Sequence, residues 1–410
     1  MTRFSADWIL PISDPPIAGG VVSVEGGRVV SVAEHDGEAD VALGRVAVLP
    51  ALVNAHTHLE LSYLHGRIPP APGFLEWVRP MLAARRDRTQ ADDAIVVASA
   101  QAAIRQARLT GTSLIGEVTN TLATVPLLRE AAMPAFVFYE LLGFAGRGAD
   151  EQVAAARRAI AALPHGGDLR LSLAPHAPYS VSPALFAAIR GDLDALGGAG
   201  ISTVHVGESA EEVQFLKRGI GPWRALLQDL GVWNEDWKVP ACSPVEYLTD
   251  LGFLSATVLV VHGVQLEGTD LSRLATLGVT LVSCPRSNRH VGVGSPPLDV
   301  FYAMDVDVAF GTDSLASVDD LNMFNELAEA RRIAPRVPAR ALLRSATLTG
   351  ATALGFGETF GSIEPGKRAA LITVRVPDGV RDVEEYLVSG IDPGAIEWLP
   401  AGPDSILPTR

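Results

Sequence analysis

The run Val46-Ala47-Val48-Leu49 leads through Pro50-Ala51-Leu52-Val53-Asn54-Ala55 into His56-Thr57-His58, a short apolar segment that ends in two histidines one residue apart. Residues two apart on an extended chain point the same way, so both imidazoles can be presented to one point. Seven further apolar runs follow, at residues 112–115, 135–139, 169–173, 201–204, 257–261, 279–282 and 306–310. Longer Ala-, Leu- and Arg-rich stretches separate them, and residues 92–108, 151–162, 183–195, 321–332 and 339–354 carry apolar positions at helical spacing. Short strands alternating with helices predict a parallel α/β fold, and eight such units predict a closed (β/α)8 TIM barrel over residues 46–359.

The pattern differs at both ends. Residues 1–45 are short β-like pieces, Val21-Val22-Ser23-Val24 and Arg28-Val29-Val30-Ser31-Val32, parted by Gly19-Gly20 and Gly26-Gly27. The same punctuation returns after residue 360, where Pro365-Gly366-Lys367 precedes the run 369–376. Residues 1–45 and 360–410 are therefore expected to form one small β-sandwich satellite domain built from both termini.

A chain of 410 residues with 48% hydrophobic content can bury a large core. Its formal charge of −14, from 33 Lys+Arg against 47 Asp+Glu, disfavours nucleic acid and anionic membranes as partners, leaving a small-molecule substrate as the expectation. Cys242 and Cys284 are its two cysteines, too few for a disulfide framework or a thiolate cluster and in keeping with a reducing cytoplasm. Residues 1–15 lack the cationic, apolar and cleavage regions of a signal peptide. No stretch reaches the roughly 20 apolar residues of a membrane helix. A cytoplasmic protein is expected.

Barrel chemistry sits where the strands end at their C-terminal side. There the sequence places His56 and His58, then Glu117, Glu140, His176, His205 with Glu208, His262, the segment 284–288, and Asp313. Five of the nine histidines thus fall at predicted strand ends, on four different strands. His35, His65, His165 and His290 fall in predicted loops and read as structural. Three imidazoles, from His56, His58 and His205, with the carboxylate of Asp313 make a nitrogen/oxygen set suited to one divalent metal ion with a position left for water. Zinc is the preferred ion, with iron and manganese as alternatives.

The segments 49–58, His205-Val206-Gly207-Glu208, Val261-His262 and Gly311-Thr312-Asp313-Ser314 resemble the amidohydrolase superfamily. Residues 174–180, Cys284-Pro285-Arg286-Ser287-Asn288 and the tail 361–367 resemble its deaminase and chlorohydrolase branch. The resemblance implies that Asp313 takes a proton from an activated water, that His262 polarises and positions that water, and that Glu208 protonates a ring nitrogen of the substrate. It further implies substrate contacts from His176 and Ser317, and it makes a homodimer the assembly to consider. Binuclear members use a carboxylated lysine at strand four. Here the lysines are Lys217, Lys238 and Lys367, none near that strand, so a single metal is expected. Glu117 or Glu140 recruiting a second ion is the alternative, and Arg286, Arg85 and Arg86 could bind an anionic substrate tail through their planar forks but read as ordinary surface arginines.

The stretch 56–66 and Gly73-Phe74-Leu75-Glu76-Trp77 resemble aminodeoxyfutalosine deaminases, which implies conversion of aminodeoxyfutalosine to futalosine in menaquinone biosynthesis. One departure stands out. Deaminases of methylthioadenosine and adenosylhomocysteine carry an acidic, ribose-holding residue where this chain reads Met81-Leu82-Ala83-Ala84-Arg85-Arg86. Three readings stay open beside it: a deaminase of another purine, a pterin or a pyrimidine; a chlorohydrolase; and a barrel without activity.

Overall fold

The computed structural model describes residues 1–400 apart from 35, 36, 38, 87 and 89. His35 and the segment 401–410 of the expected satellite therefore lie outside the described residues. Strands β1 (Thr2–Ile9), β2 (Ile17–Glu25), β3 (Arg28–Glu34), β4 (Val41–Ala42) and β5 (Val46–Pro50) open the chain. The next eight are β6 (Leu52–Thr57), β7 (Thr112–Thr119), β8 (Ala135–Leu141), β9 (Leu169–Pro175), β10 (Ser202–Val206), β11 (Val258–His262), β12 (Leu281–Ser283) and β13 (Val308–Phe310). Strands β14 (Leu371–Arg375) and β15 (Ile396–Trp398) close it.

One expectation is corrected here. Val46-Ala47-Val48-Leu49, read as the first barrel strand, lies in the terminal sheet, whose order is β15-β14-β5-β1-β2-β3 with β4 beside β1. Val48 pairs with Ile9 on one side and Thr373 on the other. The barrel begins at β6, only two residues later. Pro50 ends one strand and the other starts at Leu52, so two buried runs in different sheets read as a single apolar stretch.

The barrel strands run parallel in two arcs, β6-β7-β8-β9 and β10-β11-β12-β13. Side chains and backbone close the seams. Between β9 and β10, Ser202 Oγ donates to Leu173 O at 2.8 Å and His205 N to His176 O at 3.0 Å. Between β13 and β6, Asn54 Nδ2 donates to Thr312 Oγ1 at 2.7 Å while Thr312 N donates back to Asn54 Oδ1 at 3.0 Å. Val53, Ala55, Leu114, Val118, Phe136, Phe138, Leu259 and Val261 form a separate buried cluster. Their strand neighbours Leu52, Ile115, Ala135 and Val137 pack instead into the larger cluster shared with the surrounding helices. This alternation is what a filled barrel with a helical jacket requires.

The helix expected over 339–354 is not continuous. Ala339–Arg344 and Gly350–Ala353 are joined by a wide π turn, Ser345–Thr349, in which Ser345 Oγ meets Tyr302 OH at 2.7 Å and Thr347 Oγ1 donates to Leu343 O at 2.6 Å. Side-chain hydroxyls that bond backbone locally compete with the regular helical ladder. Among the described residues no helix is long and apolar enough to cross a membrane.

The Asn54–Thr312 pair is buried and joins the first barrel strand to the last. Replacing Asn54 with leucine removes two hydrogen bonds and leaves Thr312 N unpaired, so urea unfolding should show a loss of about 2–4 kcal/mol. An unchanged midpoint would mean that the seam is held elsewhere.

Candidate metal centre and active site

Val53 and Ala55 face the barrel interior, so by simple alternation His56 would face away from it. The pairing of β6 with β7 resolves this. Asn54 pairs with Ile115 but Thr57 with Glu117, so β6 carries one residue more than its partner over that interval. A bulge of this kind exchanges the faces that follow it. His56 and His58 thereby turn to the mouth, with ring centroids 4.9 Å apart and crossed at 82°. His205 arrives from β10, its ring centroid 5.0 Å from that of His56.

The three side chains are buried and offer ligand nitrogens within 4.8 Å of one another. Asp313 Oδ1 stands 3.9 Å from His56 Nε2 and 3.7 Å from His58 Nε2. Tetrahedral donors at about 2.1 Å from an ion sit roughly 3.4 Å apart, closer than the 4.8 Å within which the three imidazole nitrogens group, and Asp313 lies outside that group while standing near two of its members. His56 Nε2 is a buried polar atom with no hydrogen-bond partner, as a nitrogen reserved for a metal would be. Nδ1 of His205 is taken up by His176 O at 2.9 Å, which leaves Nε2 for the ion. Burial first, then the neighbouring imidazoles, hold His56 and His58 well below the ordinary histidine range, so both are neutral donors.

Carboxylates and hydroxyls complete the floor. Asp313 has a left-handed backbone, φ 60°, and so has His262, φ 76°. Non-glycine residues in that region cost about 1–3 kcal/mol and collect at functional sites. Ser287 Oγ donates to Asp313 Oδ2 at 2.6 Å and Ser314 N to Oδ1 at 2.8 Å. Asn288 Nδ2 donates to Nδ1 of His262 at 3.0 Å, and His262 Nε2 faces Glu208 Oε1 at 3.5 Å. Burial, followed by the charges of Asp313 and Glu212, pushes the Glu208 carboxyl well above the ordinary range. Glu212 acts as a clamp, accepting from Gly207 N at 2.9 Å and Glu208 N at 3.0 Å, with its own pKa raised to about 7 by burial.

His58, His205, Glu208, His262, Asp313 and Ser314 floor a cavity of about 340 Å³. Phe74, Trp77, Val78, Met81 and Leu82 from the helix Phe74–Arg85 form one wall, and Tyr179, Trp223, Leu226 and Leu227 form another. Tyr179 stacks on Trp223 with centroids 3.7 Å apart. His176 lines the cavity, its Nδ1 2.6 Å from Ser180 Oγ.

Of the residues expected on the cavity wall, Ser317 is not there. Its hydroxyl is buried behind Asp313, 3.3 Å from Oδ2 and 2.9 Å from Ser287 Oγ, and Ser314 lines the cavity instead. One turn of chain after the left-handed Asp313 carries Ser317 beneath the carboxylate. Glu117 accepts from Leu59 N at 2.9 Å, a structural use. Glu140 accepts from Asn120 Nδ2 at 2.9 Å and stands 3.6 Å from His205 Nδ1. Arg286 is tied to Asp320 at 2.9 Å and Glu326 at 3.5 Å, away from the cavity. His290 ends the short helix Pro285–His290 rather than lying in a loop, with Nε2 3.0 Å from Ile68 O. His65 and His165 are exposed in turns.

Sequence reasoning passed over Ser287, Glu212 and the aromatic wall. For Glu212 a signal existed. Ser209-Ala210-Glu211-Glu212 has the spacing of a helix-capping box, and Ser209 Oγ does accept from Glu212 N at 3.2 Å.

The profile of the Amidohydrolase family matches residues 47–390. The chain belongs to that family. This amidohydrolase is 32% identical over 356 residues to the aminodeoxyfutalosine deaminase of Deinococcus radiodurans, covering 82% of this chain and 81% of that one. It is 29% identical over 401 residues to the 5-methylthioadenosine/S-adenosylhomocysteine deaminase of Moorella thermoacetica, with 93% and 88% covered. Among solved structures, an adenosine deaminase from Xanthomonas campestris with bound zinc superposes with a TM-score of 0.82 at 26% identity, covering 98% of this chain and 91% of that one. The family is metal-dependent, and the donor set found here fits that requirement.

Purified protein should carry about one divalent ion per chain by elemental analysis. His56→Ala and His205→Ala should each abolish that stoichiometry, whereas Glu140→Gln should keep it. Loss of the ion in Glu140→Gln alone would move the centre to the neighbouring Glu140, His176 and His205 group.

Proposed function

We propose that this amidohydrolase is a hydrolytic deaminase of an aminated purine nucleoside, with aminodeoxyfutalosine as the preferred candidate and futalosine as the product. The observation that carries the reading is the placement of Glu208. It is a buried carboxyl whose pKa is raised by burial, facing His262 at 3.5 Å on the cavity floor beside the three grouped histidines. A hydrolase of simple amides has little use for a proton donor there. An aminated ring does, because attack at the amino-bearing carbon leaves charge on the adjacent ring nitrogen.

His56, His58, His205 and Asp313 would hold the ion, zinc for preference. When bound, the ion lowers the pKa of a water toward neutrality. Asp313 takes the proton that water gives up, with Ser287 and Ser314 fixing the carboxylate. His262, held by Asn288, orients the attacking oxygen through Nε2. Glu208 donates to the ring nitrogen as the carbon becomes tetrahedral, and the proton on Asp313 is passed to the amino group. The C–N bond then breaks, ammonia leaves, and the hydroxyl on the ring carbon gives its proton back to Glu208 as that carbon becomes a carbonyl. Water supplies every added atom. The apolar walls exclude bulk solvent from these transfers, and His176 contacts the bound ring from the side.

The choice of aminodeoxyfutalosine rests on the Deinococcus radiodurans relative and on the likeness of residues 56–66 and 73–77. Ammonia release should be measured with metal-loaded protein against aminodeoxyfutalosine, 5′-methylthioadenosine, S-adenosylhomocysteine and adenosine. Turnover of at least one is expected, with kcat lowered about 10³-fold in Glu208→Gln while the metal content is unchanged. No ammonia from any of the four would overturn the nucleoside reading. Chloride release from a chlorotriazine in its place would make the protein a chlorohydrolase.

A further inference from the structure

Arg85 ends the helix Phe74–Arg85 on the same face as Trp77, Met81 and Leu82, and it lines the active-site cavity. It is the one Lys or Arg among that cavity's described lining residues. A guanidinium has five N–H donors in a planar fork. Here one hydrogen bond is made, from Nη2 to Asn120 Oδ1 at 2.8 Å. The buried carboxylate of Glu60 pairs with it electrostatically at 3.7 Å, too far for a hydrogen bond. Glu60 is also saturated without it, accepting from Thr119 Oγ1 at 2.6 Å, Asn120 N at 2.9 Å, and Thr121 Oγ1 and N at 2.8 and 3.2 Å. The cation is therefore held in place by its neighbours but not consumed by them. Its side chain is 28% exposed, toward a cavity whose helical wall is otherwise apolar.

We propose that Arg85 determines specificity by binding an anionic group, a carboxylate or its equivalent, carried by the substrate away from the ring that reacts. The inference deepens the deaminase reading and rests on it. Asn120 and Glu60 leave most of the fork's N–H donors without a hydrogen-bond partner at the cavity wall, and a carboxylate matches such a fork in a bidentate way. The competing role is positional. Asn120 links Arg85 to Glu140, which faces His205, so Arg85 could act through that chain without touching substrate.

The test uses two adenine nucleosides that differ at one place, a 5′ substituent ending in a carboxylate in one and in the primary carboxamide in the other. Metal-loaded wild-type enzyme should prefer the acid by about 10- to 100-fold in kcat/KM, mostly through KM. In Arg85→Gln the acid-to-amide ratio should collapse toward one, and in Arg85→Lys it should fall between. Equal kcat/KM for the two compounds in the wild type would overturn the inference. So would a fall in kcat for both compounds at an unchanged ratio in Arg85→Gln, which is the signature of the positional role. Binding of the same pair is read separately by quenching of tryptophan emission, since Trp77 and Trp223 line the cavity. Acid-selective binding that Arg85→Gln abolishes, with no ammonia from either compound, would retain Arg85 as the anion reader and remove the deaminase reading alone. Failure of both compounds to bind at millimolar concentration would remove this inference as well.

Discussion

Gly311 runs so close to β6 that a Cβ there would lie 2.7 Å from the carbonyl oxygen and 2.8 Å from the nitrogen of His56. No side chain fits such a gap, and the active site depends on it. The close approach lets Asp313 N donate to His56 O at 3.0 Å, which ties the last strand end to the first. The left-handed turn at Asp313 then delivers its carboxylate beside His56 and His58 rather than along the strand. A bulky residue at 311 would push β13 outward and separate the carboxylate from both imidazoles. Barrel closure and the metal centre are thus one geometrical event.

The same closeness sets the electrostatics. Five imidazoles and the carboxyls of Glu140, Glu208 and Asp313 crowd together, and burial holds His56, His58, His176 and His262 neutral while it pushes the three carboxyls toward protonation. Such crowding works against folding stability, and the hydroxyl and amide donors around Asp313 offset only part of it. A doubly charged ion would offset much more, since it gains from neutral imidazoles and from an ionised aspartate together. The donor set fits an ion, and Glu208 stands beyond His262, its carboxyl pushed toward the protonated form by burial.

Much of this was legible in the residues, for a definite reason. Groups at strand ends are tied to the strand period, so the meeting of His56, His58, His205, His262 and Asp313 at one end of the barrel could be anticipated once the runs were recognised. The first run was assigned to the wrong sheet because Val46–Pro50 and Leu52–Thr57 are both buried, and periodicity does not distinguish two buried strands joined by one residue. The bulge in β6 left no mark of its own, since it depends on register against β7. Ser317 was misplaced for a similar reason. Spacing of four from Asp313 suggested a wall position, but the direction of that turn is set by a backbone angle that the sequence does not display.

Arg85 shows where composition misleads. Next to Arg86, on a helix with Ala83 and Ala84, it has the look of a solvated surface cation. Only the packing of that helix across the barrel mouth shows which of its faces is wet. Phe74, Trp77, Val78, Met81 and Leu82 turn inward, and helical geometry requires Arg85, three residues beyond Leu82, to follow them. Burying Phe74, Trp77 and Val78, with Met81 and Leu82 partly covered, fixes the orientation of the helix, and the position of the charge is a consequence. On the proposal made for Arg85, what the cavity selects is decided by this wall as well as by the floor of histidines and carboxyls.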